Sequence, residues 1–163
     1  MNPNRRRRAL LLAALLAGTS PALAANLLVN GDFETAGLSG WNTQGTPVPT
    51  AEARFGSWAA QLAGSANLDQ TFATVSGRPY KVTAWLRIAA ETGSDWGGFH
   101  VSASDYQSWA ELGATPFLTA TGYGTNWFKS AFSFTAIDAA SRLGRGYFGG
   151  AGRQMTVLAD NVG

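Results

Sequence analysis

The chain has no cysteine, a single histidine, little charge and no apolar run long enough to cross a bilayer. Without cysteine there is no disulfide, no thiol nucleophile and no thiolate metal site. His100 alone excludes a two-histidine metal centre, and no serine sits in a Gly-x-Ser-x-Gly elbow. Charged residues make up only 13% of the chain, which argues against surface helices rich in Glu and Lys. The apolar stretch Ala9–Ala17 falls short of the about 20 residues that a membrane span needs.

That stretch belongs instead to an export leader. Arg5, Arg6, Arg7 and Arg8 form a charged start, the apolar run follows, and Ala22-Leu23-Ala24 gives a small-x-small cleavage pattern. The reading is a signal peptide over residues 1–24, cleaved after Ala24, and one mature domain over 25–163. It implies a secreted or periplasmic protein with no membrane attachment after cleavage. An uncleaved anchor is the alternative, and the arginine run suits either the general or the twin-arginine export route. The leader removes four arginines and no acid, leaving eight basic residues against ten acidic ones. No basic patch with interleaved aromatics remains, so nucleic-acid binding is set aside.

What is present is alternation. From Tyr80 to Ala89, Tyr80, Val82, Ala84, Leu86 and Ile88 point one way, and Lys81, Thr83, Trp85 and Arg87 the other. A second strand begins near Gly98, with Phe99, Val101 and Ala103 inward and His100, Ser102 and Ser104 outward. A third runs from Trp127 to Thr135 on Phe128, Phe132 and Phe134. Shorter strands are read at 27–30, 59–62, 68–72, 143–148 and 156–162, with weaker ones at 52–55 and 108–112. One short helix is read within 136–142. Turn signals such as Asn30-Gly31, Ser39-Gly40 and Thr92-Gly93 separate them, which implies an all-β sandwich or barrel.

The order of motifs resembles that of galactose-binding-like carbohydrate-binding modules. The motifs are Asn26-Leu27-Leu28-Val29-Asn30-Gly31-Asp32-Phe33-Glu34, Gly40-Trp41 and the Gly56-Ser57-Trp58 turn leading to Leu62. Leu68-Asp69-Gln70-Thr71-Phe72 with Gly77-Arg78-Pro79-Tyr80-Lys81-Val82, the aromatic strand from Trp127, and Leu158-Ala159-Asp160-Asn161-Val162 complete the set. The resemblance implies a jelly-roll β-sandwich of two antiparallel sheets and a poly- or oligosaccharide as partner. It also implies a structural calcium ion, with Glu34 and Asp160 as side-chain ligands and Asp32 as a further candidate. Backbone carbonyls near Gly56–Trp58 would complete the ion's oxygen shell.

A sugar site needs a flat aromatic face beside hydrogen-bonding groups. Parity puts Trp85 on a polar face with Lys81, Thr83 and Arg87, the alternative being that a loop or the second sheet covers it, and His100 and Ser102 would join it if their strand pairs alongside. Trp96, Tyr106, Trp109 and Tyr123 sit in or beside loops and one or two of them are candidates for the rim, with Trp109 beside Leu112 reading equally as strand core. Trp41, Trp58 and Trp127 read as packing residues. No spacing singles out a pair of carboxyls for glycoside hydrolysis, so the expected role is binding without catalysis. A structural or adhesive envelope protein, with a protein partner and no sugar site, is the competing reading.

Overall fold

The computed structural model describes residues 25–163, so the leader expected over 1–24 lies outside the described residues. Ten strands form two five-stranded antiparallel sheets. The first is ordered β1 (Asn42–Gln44), β4 (Asn67–Ala73), β9 (Ala140–Gly149), β6 (Gly97–Asp105), β7 (Glu111–Ala114). The second is β2 (Val48–Thr50), β3 (Ala59–Ala63), β10 (Gln154–Asp160), β5 (Pro79–Thr92), β8 (Phe128–Thr135). A single four-residue helix, α1 (Ala120–Tyr123), lies before β8 among the described residues. The architecture is the all-β jelly-roll sandwich that the motif order implies.

Alternation fixes the core. Val82, Ala84, Leu86 and Ile88 of β5 are buried, and so are Phe99, Val101 and Ala103 of β6. They meet between the sheets with Leu68, Phe134, Leu143 and Val157. At one end of this layer Phe134 stacks on Tyr80 and meets Phe72 edge-on. Trp41 is buried as expected, whereas Trp58 and Trp127 are only half-buried.

The chain departs from the expected elements where pairing is not written as alternation. Residues 27–30 form no strand. Asn30 and Phe33 take positive φ, and the segment is held by the Gln70 side chain, which bonds Val29 N–H, Val29 C=O and Gly40 C=O. Gly31 lets this segment approach the chain end, where a side chain would collide with the Val162 carbonyl; Val162 N–H instead donates to Gly31 C=O at 2.7 Å. Residues 52–55 form a loop, not a strand. The helix expected within 136–142 is absent because β9 starts at Ala140 and pairs with both β4 and β6. The short strands β1 and β2 carry no apolar pattern, and their six residues are almost all exposed, so nothing in the hydrophobic pattern marks them.

Arg145 is the one fully buried cation among the described residues. It points inward from β9 at 2% exposure, with its guanidinium 3.9 Å from the Trp41 ring centroid and 5.4 Å from that of Phe33. None of its three side-chain nitrogens has a hydrogen-bond partner, and burial lowers its pKa to about 9. The aromatic faces supply part of what water would, but desolvating an unpaired charge is costly. Arg145→Met should therefore unfold at an equal or higher temperature than the wild type in a thermal melt at pH 7. Arg145→Ala, which adds a cavity, should melt lower.

Candidate functional site

The two outer faces of the sandwich are not alike. On the second sheet, Trp85 and Arg87 point outward from β5 as parity requires, but the loop over residues 51–58 lies across them. Phe55 meets the Trp85 ring edge-on with centroids 5.6 Å apart, and the Arg54 guanidinium sits 4.9 Å from the same ring. Arg87 pairs with Glu52 at 3.0 Å and donates to the Thr125 carbonyl. Leu158 and Asp160 also face outward, beside Arg87 and Trp85, yet each is only 1% exposed because the loop covers them. Lys81 stays exposed at one end of the row. The Trp85 face is thus a covered surface at its centre.

His100 and Ser102 do not join it. Their strand, β6, pairs with β9 and β7 in the opposite sheet. Parity turned both side chains outward, but sequence alternation says nothing about which sheet a strand enters. The expectation of one surface shared with Trp85 is corrected on that ground.

The outer face of the first sheet is open and forms a groove of about 350 Å³. Register places its side chains in rows. Asn42, Asp69, Gly144 and Ser102 lie side by side across four strands; Gln44, Asn67, Gly146 and His100 form the next row; Thr71, Arg142, Ser104 and Glu111 form the row on the other flank. The central strand contributes two glycines: Gly144 leaves bare backbone at the floor, whereas Gly146 is buried with the Asn67 side chain packed close to where a Cβ would sit. A Cβ on Gly144 would find its nearest neighbour at 4.0 Å, so crowding does not require glycine there. The missing side chain gives depth. Asn67 Oδ1 at the wall is buried without a hydrogen-bond partner among the described residues.

Aromatic rings stand at both ends. Trp109, 62% exposed, rises beside Arg142, and Phe148, 59% exposed, stands beyond Gly146. Phe148 and Phe117 flank the His100 ring, with centroids 6.0 and 5.3 Å away. The six-residue step from Arg142 to Phe148 along β9 spans roughly 20 Å. Arg142 grips Asp69 with two nitrogens, at 2.6 and 2.9 Å, and among the described residues no ion pair forms at Glu111.

Trp109 owes its place to a tight turn. Asp105 is buried and takes the Ser108 N–H at 2.7 Å and its hydroxyl at 2.6 Å, while Trp109 N–H donates to the Asp105 carbonyl. The turn holds Trp109 at φ +62, a left-handed conformation that costs a non-glycine residue on the order of 1–3 kcal/mol. The other loop aromatics lie elsewhere. Tyr106 is an exposed turn residue, Trp96 stands in the β5–β6 connection, and Tyr123 of α1 stacks on Phe128 at 4.6 Å. A second hollow, about 230 Å³, lies between residues 25–28 and β5. Its walls are mainly Leu27, Leu28, Phe72, Tyr80 and Phe134, so it offers few hydrogen-bonding groups.

The acids implied for calcium lie on both sides of the 51–58 loop. Glu34 accepts the N–H groups of Ser57 and Trp58, and Asp160 those of Arg54 and Phe55. Burial, with a contribution from the neighbouring Glu34 charge, raises the Asp160 pKa against the lowering effect of those N–H groups. Two mutually repelling carboxylates fit the charge of a cation site. They supply only part of the six to eight oxygens that calcium takes, and backbone carbonyls would have to give the rest. Asp32 turns back on its own segment, accepting from Glu34 N–H at 3.4 Å.

The Ser108 hydroxyl and N–H hold the Asp105 carboxyl below its ordinary pKa of 3.8. A carboxylate with a depressed native pKa adds stability that is complete above 3.8 and is lost as pH falls through the lower native value. Ser108→Ala should raise the Asp105 pKa towards 3.8 in a carboxyl NMR titration and reduce the acid dependence of stability in that window.

No family model matches the chain, and no curated protein matches it. Solved structures do. A module described as family 16 carbohydrate-binding module-2 aligns at a TM-score of 0.62 with 23% identity, covering 85% of this chain and 98% of its own. TmCBM61, solved with β-1,4-galactotriose, aligns at 0.59 with 17% identity, covering 85% and 97%. The CBM22-1 xylan-binding domain of Xyn10C from Paenibacillus barcinonensis aligns at 0.54 with 15% identity, covering 81% and 88%. The chain has the β-sandwich fold of these carbohydrate-binding modules.

Proposed function

We propose that the protein binds an uncharged glycan chain, without catalysis, along the groove of the first sheet. The observation that carries this reading is the glycine-floored trough with polar walls and a ring at each end. Pyranose rings present an apolar C–H face for stacking and hydroxyls for the walls. Asn67 and Gln44 offer amides that both donate and accept, Ser102 and Ser104 offer hydroxyls, Glu111 offers acceptors, and the cation Arg142 is already bound to Asp69. The same pair argues against hydrolysis. Of the two groove carboxylates, Asp69 is locked in an ion pair, leaving Glu111 without a free partner for acid–base work. The neighbours bound to galactotriose or described as xylan-binding support the ligand class. The leader supports export to the periplasm or the outside of the cell.

Affinity electrophoresis through soluble galactan, mannan, xylan and β-glucan tests the site. At least one of these should retard the wild type. Trp109→Ala should weaken retardation about tenfold, equivalent to about 1.4 kcal/mol. Gly144→Val should abolish it while keeping the melting temperature, since a Cβ has room there and β-branched residues suit strands. Loss on Trp85→Ala with full retention by Trp109→Ala would return the site to the second sheet.

The calcium expectation belongs to the same reading, with Glu34 and Asp160 as the carboxylates. Added calcium should raise the melting temperature and a chelator should lower it, because an ion bound only to the native state stabilises it. Glu34→Gln with Asp160→Asn should remove the response. A melt indifferent to both calcium and chelator would leave the loop N–H groups as the sole partners of these acids.

A further inference from the structure

We infer that Asp69 and Arg142 are positioning residues that set the ring of Trp109 before any ligand arrives. The inference rests on the groove reading for its purpose, though not for its geometry. Trp109 is the most isolated ring of the groove: no aromatic side chain among the described residues packs on it. Its turn fixes the backbone, but a tryptophan on a fixed backbone still rotates about two side-chain bonds. The Arg142 guanidinium lies over its face, 4.1 Å from the ring centroid.

That guanidinium is itself immobile. Its Nε bonds Asp69 Oδ2 at 2.9 Å and its Nη2 bonds Asp69 Oδ1 at 2.6 Å. Asp69 is 2% exposed, and its Oδ2 also takes the Asn42 side-chain amide at 2.9 Å. Rigidity thus passes from β1 through β4 and β9 to a ring on the β6–β7 loop. A planar fork is needed at the third step, because it must meet a carboxylate with its edge and an aromatic face with its plane. Arginine does both, and lysine does neither well. One face of the ring is covered by the guanidinium, and at 62% exposure the other stays open for stacking. An ordered ring loses less conformational freedom on binding.

The test needs no ligand for its first arm. The full chain carries six tryptophans and would be labelled with 5-fluorotryptophan, with the Trp109 signal assigned by Trp109→Phe. In the 19F spectrum, Arg142→Gln and Asp69→Asn should move the Trp109 resonance towards that of the solvent-exposed amino acid and leave the other five in place. Arg142→Lys should not restore it. An unmoved Trp109 resonance in Arg142→Gln would overturn the inference. So would displacement of all six resonances by that variant, which would make the pair a support of the sheet and not of the ring. In the second arm, Arg142→Gln should weaken retardation by the galactan, mannan, xylan or β-glucan that retards the wild type by about five- to tenfold. Undiminished retardation there would overturn the positioning role. If none of the four retards the wild type, the glycan reading fails, while the 19F arm still decides whether the pair sets the ring.

Discussion

The apolar layer between the two sheets constrains everything else in this molecule. A strand residue has two environments open to it, and Leu143, Phe99 and Leu86 claim the inner one for alternate positions on their strands. Their neighbours are committed outward with no further choice. On β9 the consequence is sharp. Leu143 and Arg145 face the core, so Arg142, Gly144 and Gly146 must lie on the outer side of the sheet, with Gly146 itself buried there. A shift of one residue in that strand would bury the floor of the groove and expose the core.

The same constraint explains what could be read from the sequence. The inward and outward sides of β5, β6 and β8 were legible because alternation is a local property of the chain. The partner of each strand was not. His100 and Ser102 were placed outward correctly, yet they lie on the sheet opposite Trp85, because their β9 partners Gly146 and Gly144 are 46 and 42 positions away. Coverage of Trp85 by a loop was an open alternative, but the residues that cover it were not legible. Arg54 and Phe55 lie about thirty residues before Trp85, and nothing in their spacing says that they fold over it. β1 and β2 were missed for another reason: paired by backbone bonds at the sheet margins, they carry no apolar rhythm.

The groove was hardest to foresee because its key residues are quiet ones. Gly144 and Gly146 fall inside a stretch that reads as an ordinary short strand, and Asp69 falls inside a motif that carries a fold resemblance. The one signal pointing to them was the presence of two glycines at alternate positions, 144 and 146, within a run otherwise fit for a strand. Glycine weakens a strand interior, and its recurrence on a single face marks a place where something else approaches the backbone. Trp109 was named as a rim candidate, but the left-handed turn that lifts it depends on the buried Asp105 and could not be seen in advance.

The glycine floor separates two kinds of inheritance along a single strand. Positions 143 and 145 answer to folding, and change there is felt throughout the core. Position 144 answers to the shape of an open surface, and position 146 to the packing of the Asn67 side chain against it. At 144 a side chain can be gained or lost with little disturbance beneath it, so the depth of the trough can drift between descendants while the scaffold stays the same.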